Sequence, residues 1–569
     1  MSNLIYSAGR QLDKLLLDAY RAASAEGLLP PDAELTGVSE IPRDPANGDY
    51  AATHAMAAAR AMRRPPRAIA DALTKHIELG GSYFESCAVA GAGFMNFTLS
   101  DKWYSDVLRA VETEGSGYGR SDFGGGERVM VEFVSANPTG PMTIGNARGG
   151  VLGDALASVL DMVGYRVHRE FYVNDAGNQV ELFGKSVEAR YMQLCLGEDA
   201  VKFPDDGYHG DDIRELAADI YGREGDSLAA LPERVRVRRF IEIGIPRNIG
   251  LMRAHLERYR IRFDEWFPES RLHESGYVDE TMRLLTDGGL TYEKDGALWL
   301  KNTELGADKD EVLRRSDGSY TYQAVDIAYH RDKFAARGFG RVIDVLGADH
   351  HGHTVRFSAM MKSPKLRSAL GITHGELEFL LMQMVLLKRG AEVVKVSKRT
   401  GKALTLNDLL DEISVDACRF FFNAKPDTHL EFDLDLAVRQ DSENPVYYVQ
   451  YAHARICSLI AALGADGCAV PDARDIDVSV LRGAPERELI KQIALLPEEA
   501  IQAARDRDPS RINRYVVELS ARFHKFYTAC HIRGEREDVL KARLKLADTT
   551  RRVIAICLGV TGVTAPERM

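Results

Sequence analysis

Apolar positions change their period several times along the chain. Leu4, Ile5, Ala8, Leu12, Leu15 and Leu16 recur at helical spacing, which predicts an amphipathic N-terminal helix. Helical patterns surround Ala51 to Leu73, and AGAGFMNFTL near residue 95 reads as a strand, so residues 1–118 are expected to form an α+β unit. VMVEFVS (129–135) is a continuous apolar run of strand length. From Gly145 the pattern turns helical through Val151, Leu152, Ala155, Leu156, Val159 and Leu160, with Gly164 as a natural stop, and YRVHREFYV (165–173) reads as the next strand. Strand, loop, helix, strand is a βαβ unit, which builds parallel sheets whose ligands sit at the carboxyl ends of the strands.

Residues 182–285 are charged and mostly helical, and read as an insertion. ALWLKN (297–302), YTYQAVDIAY (320–329) and RVIDVLG (341–347) read as short strands. From residue 440 to the end almost every pattern is helical, as in VYYVQYAHARICSLIAAL and RINRYVVELSARFHKFY. The glycine-rich join GSGYGRSDFGGGE (115–127) reads as a flexible linker. The expected organisation is an N-terminal domain over 1–118, an α/β domain over 127–435 and an all-α domain over 440–569.

The loop SANPTGPMTIGNARGG (135–150) joins the first strand of the βαβ unit to its helix. Asn-Pro and the glycines bend the chain, Gly145 leaves room for a ligand, and the helix behind it offers free N–H groups and a partial positive charge. Two readings stand at this point: a phosphate-binding loop, or a tight structural turn.

A chain of 569 residues is long enough for roughly three or four domains. No apolar run approaches the length that crosses a bilayer, and Asp13 and Asp18 interrupt the first helix, which makes it a poor signal peptide. The seven cysteines form no CxxC pair, so a reducing, cytoplasmic setting is expected without disulfides or a cysteine zinc site. The net charge of −11 argues against coating nucleic acid by bulk charge, but leaves local basic patches free to meet one RNA.

A second stretch, VVKVSKRTGKALTLNDLL, brings Lys395, Lys398, Arg399 and Lys402 into one loop with Ser397. SANPTGPMTIGNARGG and KVSKR resemble the two signatures of class I aminoacyl-tRNA synthetases. VEFVSANPTGP, REFYVNDAGNQ, YTYQAVDIAYH, LGADHHGH, NPVYYVQYAHARI, the terminal APERM and the early NGDYA and AGAGFMNF are similar to arginyl-tRNA synthetase in particular. The resemblance covers nearly the whole chain in the family's order.

It implies a fold in three parts: an α+β N-terminal domain that touches tRNA, with Arg63, Arg64 and Arg67 as its basic turn; a Rossmann-type class I catalytic domain; and an all-α anticodon-binding bundle. It also implies a two-step reaction. Arginine attacks the α-phosphate of Mg-ATP, and the arginyl group then passes to the 3′ end of tRNA(Arg), with activation dependent on bound tRNA. ATP with Mg²⁺ is expected as substrate, with no protein-bound metal; the enzyme is expected to be a monomer without membrane contact.

The resemblance assigns Thr143, Gly145, Asn146, Lys395, Ser397 and Lys398 to catalysis. It assigns Pro138, Gly140, Gly145, Asp349, His350, Lys395 and Lys398 to ATP, and Tyr451, Arg455, Tyr527 and Met569 to tRNA. Tyr447, Tyr448, Arg514 and His524 are further candidates on the helical bundle. For arginine it picks Glu132, Ser135, Asn137, Asn174, Tyr322 and Asp326. Asp326 and Tyr322 are expected on the guanidinium, because a guanidinium suits a carboxylate in a planar fork. Ser135 and Asn137 are expected at the α-amino and carboxylate end, with Glu132 assisting at either end.

One departure stands out. The family's first signature usually reads His-x-Gly-His, and here it is Thr143-Ile144-Gly145-Asn146. A hydroxyl and an amide donate hydrogen bonds but carry no charge, so the change costs on the order of 1–2 kcal/mol of transition-state stabilisation. This keeps a second reading open, a tRNA-binding paralogue with impaired chemistry. His350, His351 and His353 in GADHHGH offer possible replacement donors. They lack a spaced fourth ligand for a metal.

Overall fold

The structure is a computed structural model that describes residues 2–394 and 404–569. The N-terminal part packs four helices, α1 (Leu4–Ala25), α2 (His54–Met62), α3 (Pro66–Thr74) and α4 (Asp101–Glu114), on a sheet of β1 (Ser39–Glu40), β2 (Tyr50–Ala52), β3 (Phe84–Ala90) and β4 (Phe94–Leu99). The sheet order is β1-β2-β4-β3. The expected face of α1 is the one buried: Leu4, Ala8, Leu12 and Leu16 line the core.

The central sheet is built from β5 (Arg128–Glu132), β6 (Arg166–Val173), β7 (Glu265–Pro268), β11 (Arg341–Gly347) and β12 (Glu376–Met382). Its order is β12-β11-β5-β6-β7, and every neighbouring pair is parallel. The chain runs outward from β5 to one edge and then returns to the other side, so the order reverses between β5 and β11. Such a switch point opens a crevice at the strands' carboxyl ends. The helix α5 (Ile144–Met162) crosses from β5 to β6 and is buried on nearly every side. Its close approach needs glycine: a Cβ on Gly153 would lie 2.2 Å from the Phe133 ring.

Between β6 and β7 run α6 (Asn178–Leu196), α7 (Asp211–Glu224) and α8 (Glu233–Arg258), which share a separate apolar cluster around Phe183, Tyr191 and Phe240. The edge strand β7 therefore lies inside the segment read as a helical insertion. Two small sheets complete the middle of the chain. One is β8 (Thr291–Lys294), β9 (Ala297–Leu300) and β10 (Glu311–Arg314); the other is β13 (Val385–Arg389), β14 (Glu392–Val393) and β15 (Leu430–Asp433). Helices Pro445–Ala465, Ala484–Ala494, Leu496–Asp506, Ser510–Ala529 and Glu537–Val560 form the C-terminal bundle.

Two expectations need correction. YTYQAVDIAY is not a strand: Tyr322–Arg331 is a helix that continues into a π-helical turn, Asp332–Ala336. Its aromatic and β-branched residues suit a strand in isolation, but Ala324, Ile327, Ala328 and Tyr329 bury one face against the sheet, and tertiary burial overrides local propensity. The join at 115–127 is packed rather than loose. Tyr118 is buried and its hydroxyl donates to the Ile493 carbonyl at 3.1 Å, and a Cβ on Gly124 would meet Tyr165 at 2.6 Å. The N-terminal part also docks on the bundle directly, with Asp49 of NGDYA 2.5 Å from Lys491.

Candidate active site

The crevice at the switch point holds a cavity of about 860 Å³. Its walls come from the β5–α5 loop (Val134 to Asn146), the end of β11 (Val345 to His350) and the turn after β12 (Met382 to Val385). Eight residues singled out from sequence line it together: Ser135, Asn137, Gly140, Thr143, Gly145, Asn146, Asp349 and His350. Pro138 is buried behind the loop, where its carbonyl accepts from Asn248 Nδ2 at 2.8 Å. Lys395, Ser397 and Lys398 lie outside the described residues.

Thr143 and Asn146 stand where the family's histidines are expected, and they cap α5. Asn146 Oδ1 accepts from both the Thr143 amide and the Thr143 hydroxyl at 2.9 Å, and the Asn146 amide donates to Thr143 Oγ1 at 3.4 Å. The hydroxyl proton of Thr143 is thus used inside the protein, which corrects its expected role as a phosphate donor. The Asn146 side-chain NH₂ and the amides of Ile144 and Gly145 have no acceptor among the described residues. They are the donors that the helix N-terminus presents to the cavity. A Cβ on Gly145 would meet Thr143 Oγ1 at 3.6 Å, ordinary contact. The protein itself does not require glycine there.

The three histidines separate. His350 lines the cavity and is half-exposed. His351 lines a different hollow beside Gly306 and Arg356. His353 lies 3.3 Å from Asp326 and edge-on to Tyr322, with ring centroids 5.7 Å apart. Arg148, fully buried, also lines the cavity and donates to three carbonyls, those of Gln383, Lys425 and Thr428, with no carboxylate partner among the described residues; burial pulls its guanidinium down to about 10.

At the end of β5 the backbone of Val134 (φ 68°) and Ser135 (φ 39°) is left-handed. For a β-branched residue this is costly, on the order of 1–3 kcal/mol. It turns Ser135 back so that its hydroxyl donates to Glu132 Oε1 at 2.8 Å and accepts from the Tyr172 amide at 3.2 Å. One lone pair of that hydroxyl remains. Glu132 itself does not line the cavity. It is buried, 2.6 Å from Lys333 Nζ, so its expected contact with arginine is corrected: it holds Ser135 from behind. Burial raises its carboxyl, with Lys333 opposing. Asn137 donates to Gln179 Oε1 at 2.6 Å and keeps its own Oδ1 as an acceptor.

A second group of side chains lies across Tyr172. The Tyr172 hydroxyl donates to Glu269 Oε2 at 2.8 Å. Burial, and after it the charges of Glu269 and Asp326, push that hydroxyl far above its ordinary pKa. Asn174, with its amide nitrogen turned to the acceptors, donates to Glu269 Oε2 at 3.3 Å. Tyr322 is 65% exposed beside them. Tyr172 thus spans the two ends of the expected arginine site, its amide at Ser135 and its hydroxyl at Glu269.

Sequence reasoning missed Glu269, because PESR reads as an ordinary charged loop; only β7, paired with β6, brings it to Tyr172. It also missed Tyr208, His209, Gly210 and Asp212, which reach the cavity from the segment before α7 and from its first turn. GYHGDD is visible as a break in a helical pattern, but not as a wall of this cavity.

On the bundle, Tyr447, Tyr448, Tyr451, Arg455 and His524 line a hollow of about 350 Å³. Tyr447 and Tyr451 stack at 6.1 Å, and Arg455 lies 4.2 Å over the Tyr527 ring. Arg514 is paired with Asp508 and is not in this group. Met569 is exposed at the end of a tail whose Thr564 and Pro566 carbonyls accept from Gln450 and bond His453. Arg63, Arg64 and Arg67 are exposed at the α2–α3 turn.

Three family models match the chain: the arginyl tRNA synthetase N-terminal domain over residues 10–99, the catalytic domain of class I (R) tRNA synthetases over 114–212 and 246–450, and the DALR anticodon binding domain over 449–569. The arginine–tRNA ligase of Acetivibrio thermocellus is 47% identical over 570 residues, covering 100% of both chains. The chain belongs to the arginyl-tRNA synthetases. The corresponding ligase of Ruminiclostridium cellulolyticum is 48% identical over 571 residues, again with 100% coverage of both. The Thermus thermophilus arginyl-tRNA synthetase structure aligns with a TM-score of 0.69 at 22% identity, covering 99% of this chain and 100% of that one, which supports the fold. The fold class read from sequence is the one observed. The reading of a paralogue without activation chemistry is not favoured, since the relatives matched from end to end are ligases.

Proposed function

We infer that the cavity at the switch point is where this ATP-dependent arginine–tRNA ligase forms arginyl-adenylate. The observation that carries this is the convergence of the α5 N-terminus, the β11 end and the turn after β12 on one cavity. ATP enters with Mg²⁺ on its phosphates, as substrate. The Ile144 and Gly145 amides, the Asn146 NH₂ and His350 supply hydrogen bonds to the phosphates, and Gly145 lets them approach. Lys395 and Lys398, with Ser397, act on the leaving pyrophosphate. No covalent enzyme intermediate is needed: the work is orientation and stabilisation of charge on the phosphorus centre.

Arginine lies along Tyr172. Its α-ammonium donates to the free lone pair of Ser135 and to Asn137 Oδ1, and its guanidinium sits between Asp326 and Glu269 with Tyr322 beside it. Two carboxylates match the guanidinium's several donors. Lysine, with one compact ammonium, leaves part of that pair unsatisfied. The adenylate then passes its arginyl group to the tRNA 3′ end. Tyr451, Arg455, Tyr527 and Met569 meet the tRNA through the bundle, where aromatic faces stack bases. Activation waits on bound tRNA.

The enzyme works as a monomer. It works in the cytoplasm, in keeping with seven free cysteines and no described helix long and apolar enough to cross a membrane. ATP–pyrophosphate exchange with arginine, with and without tRNA and with lysine as control, tests the reading. Exchange with arginine and tRNA together, and in no other mixture, is expected. No exchange in any mixture, with tRNA still bound, overturns it.

A further inference from the structure

Beneath the proposed arginine site lies a buried set of ionisable side chains. Glu132 on β5 and Asp344 on β11 are directly opposed across the parallel ladder. Two carboxylates so placed repel each other. Lys333, fully buried in the π-helical turn, reaches between them, 2.6 Å from Glu132 Oε2 and 2.9 Å from Asp344 Oδ1. The second Asp344 oxygen lies 2.9 Å from His330 Nε2, and His330 Nδ1 lies 2.8 Å from the Asp326 carbonyl. The His330 ring thus links the Asp326 backbone to Asp344. Asp344 is ionised: burial would raise its carboxyl, but Lys333 and His330 bring it down to about 2. Lys333 therefore bridges both carboxyl groups, and His330 bonds the second oxygen of Asp344.

The tetrad touches both halves of the proposed arginine site. Glu132 holds the Ser135 hydroxyl at 2.8 Å. Lys333 and His330 pin the helix that carries Asp326 to strands β5 and β11. Buried ion pairs contribute little net stability compared with apolar groups of the same volume, and are better suited to fixing one geometry among several. We propose that Glu132, Lys333, Asp344 and His330 act as a molecular ruler, fixing the separation between Ser135 and Asp326 and so selecting the side-chain length of the amino acid. These are positioning residues, and the proposal rests on the reading of Ser135 and Asp326 as arginine contacts.

The test compares arginine with homoarginine, one methylene longer, in tRNA-dependent pyrophosphate exchange by the full-length enzyme. The double variant Glu132→Gln/Lys333→Met keeps the Asp344–His330 pair and removes one acidic and one basic group together. It is expected to lose at least tenfold of the preference in kcat/KM for arginine over homoarginine, with the KM for ATP unchanged. His330→Gln, close in shape, is expected to lose a smaller part of the same preference and serves if the double variant does not fold. A merely structural role would lower the melting temperature and scale both amino acids alike; an unchanged preference in a folded variant overturns the ruler. Asp326→Asn separates the two ideas: an unchanged KM for arginine in that variant removes the site reading and the ruler with it. A raised KM there, beside an unchanged preference in the tetrad variants, removes the ruler alone.

Discussion

Thr143 and Thr405 pair as an isolated antiparallel bridge, and each caps a helix by the same device. Thr143 exchanges hydrogen bonds with Asn146 at the start of α5, and Thr405 does so with Asp408 at the start of Leu406–Glu412. The Leu406 amide also donates to the Met142 carbonyl at 3.0 Å. The bridge fastens the segment that follows the second signature to the first. Where the family's pattern has two histidines, this chain uses the positions to hold the helix end.

Asn146→Ala therefore does two separable things. Loss of the capping box costs about 1 kcal/mol of stability, and loss of a donor lowers kcat for pyrophosphate exchange about tenfold. Thermal melting and exchange kinetics on one preparation check both. A variant that melts lower but keeps its rate shows that Asn146 only caps.

Gly145→Ala should uncouple stability from binding. The protein has room for the methyl group at 3.6 Å, and alanine is favoured over glycine within a helix by up to about 1 kcal/mol. The melting temperature should hold or rise while the KM for ATP increases severalfold. An unchanged KM would mean that the phosphates do not approach this turn.

Glu269→Gln should act on arginine alone. Removing one partner of a desolvated charge pair costs about 2–5 kcal/mol, so the KM for arginine should rise by at least about 30-fold with the KM for ATP unchanged. Equal effects on both substrates would place Glu269 in the scaffold, as a partner of Tyr172 and no more.

Glu170 supplies a pH-dependent part of the stability. It is fully buried; burial would raise its carboxyl, but His168 and the two-pronged Arg337 hold it down to about 2. A carboxylate depressed on folding stabilises above its unfolded pKa, near 4.5, and the contribution fades as pH falls through 2. The shift corresponds to about 3 kcal/mol. Urea midpoints for the wild type and Glu170→Gln at pH 7, 4 and 3 should draw together as pH falls. A constant gap would assign the difference to packing.

Tyr451→Ala should weaken tRNA without touching the ATP site. Stacking a base on an aromatic face contributes about 1–3 kcal/mol, a rise in the KM for tRNA of roughly 5- to 150-fold. Arginine activation at saturating tRNA should stay within twofold of the wild type. A loss that saturating tRNA cannot restore would show that Tyr451 does more than hold the anticodon end.

The period of apolar residues was enough to find β5, α5, β6, β9 and β11, because each buries a face whose repeat is written locally. The fold class and the family were legible as well, through phrases that resemble one family along nearly the whole chain. The helix at Tyr322–Arg331 was not, because its side chains suit either structure and only packing on the sheet chooses. Nor were the partners: Glu132 looked like an arginine ligand until Lys333 was found beside it, and Glu269 looked like surface until β7 joined β6. Local sequence determines which backbone shapes are cheap. Which charge meets which is decided by strand order and register, and these join residues too far apart in the chain for any local pattern to record.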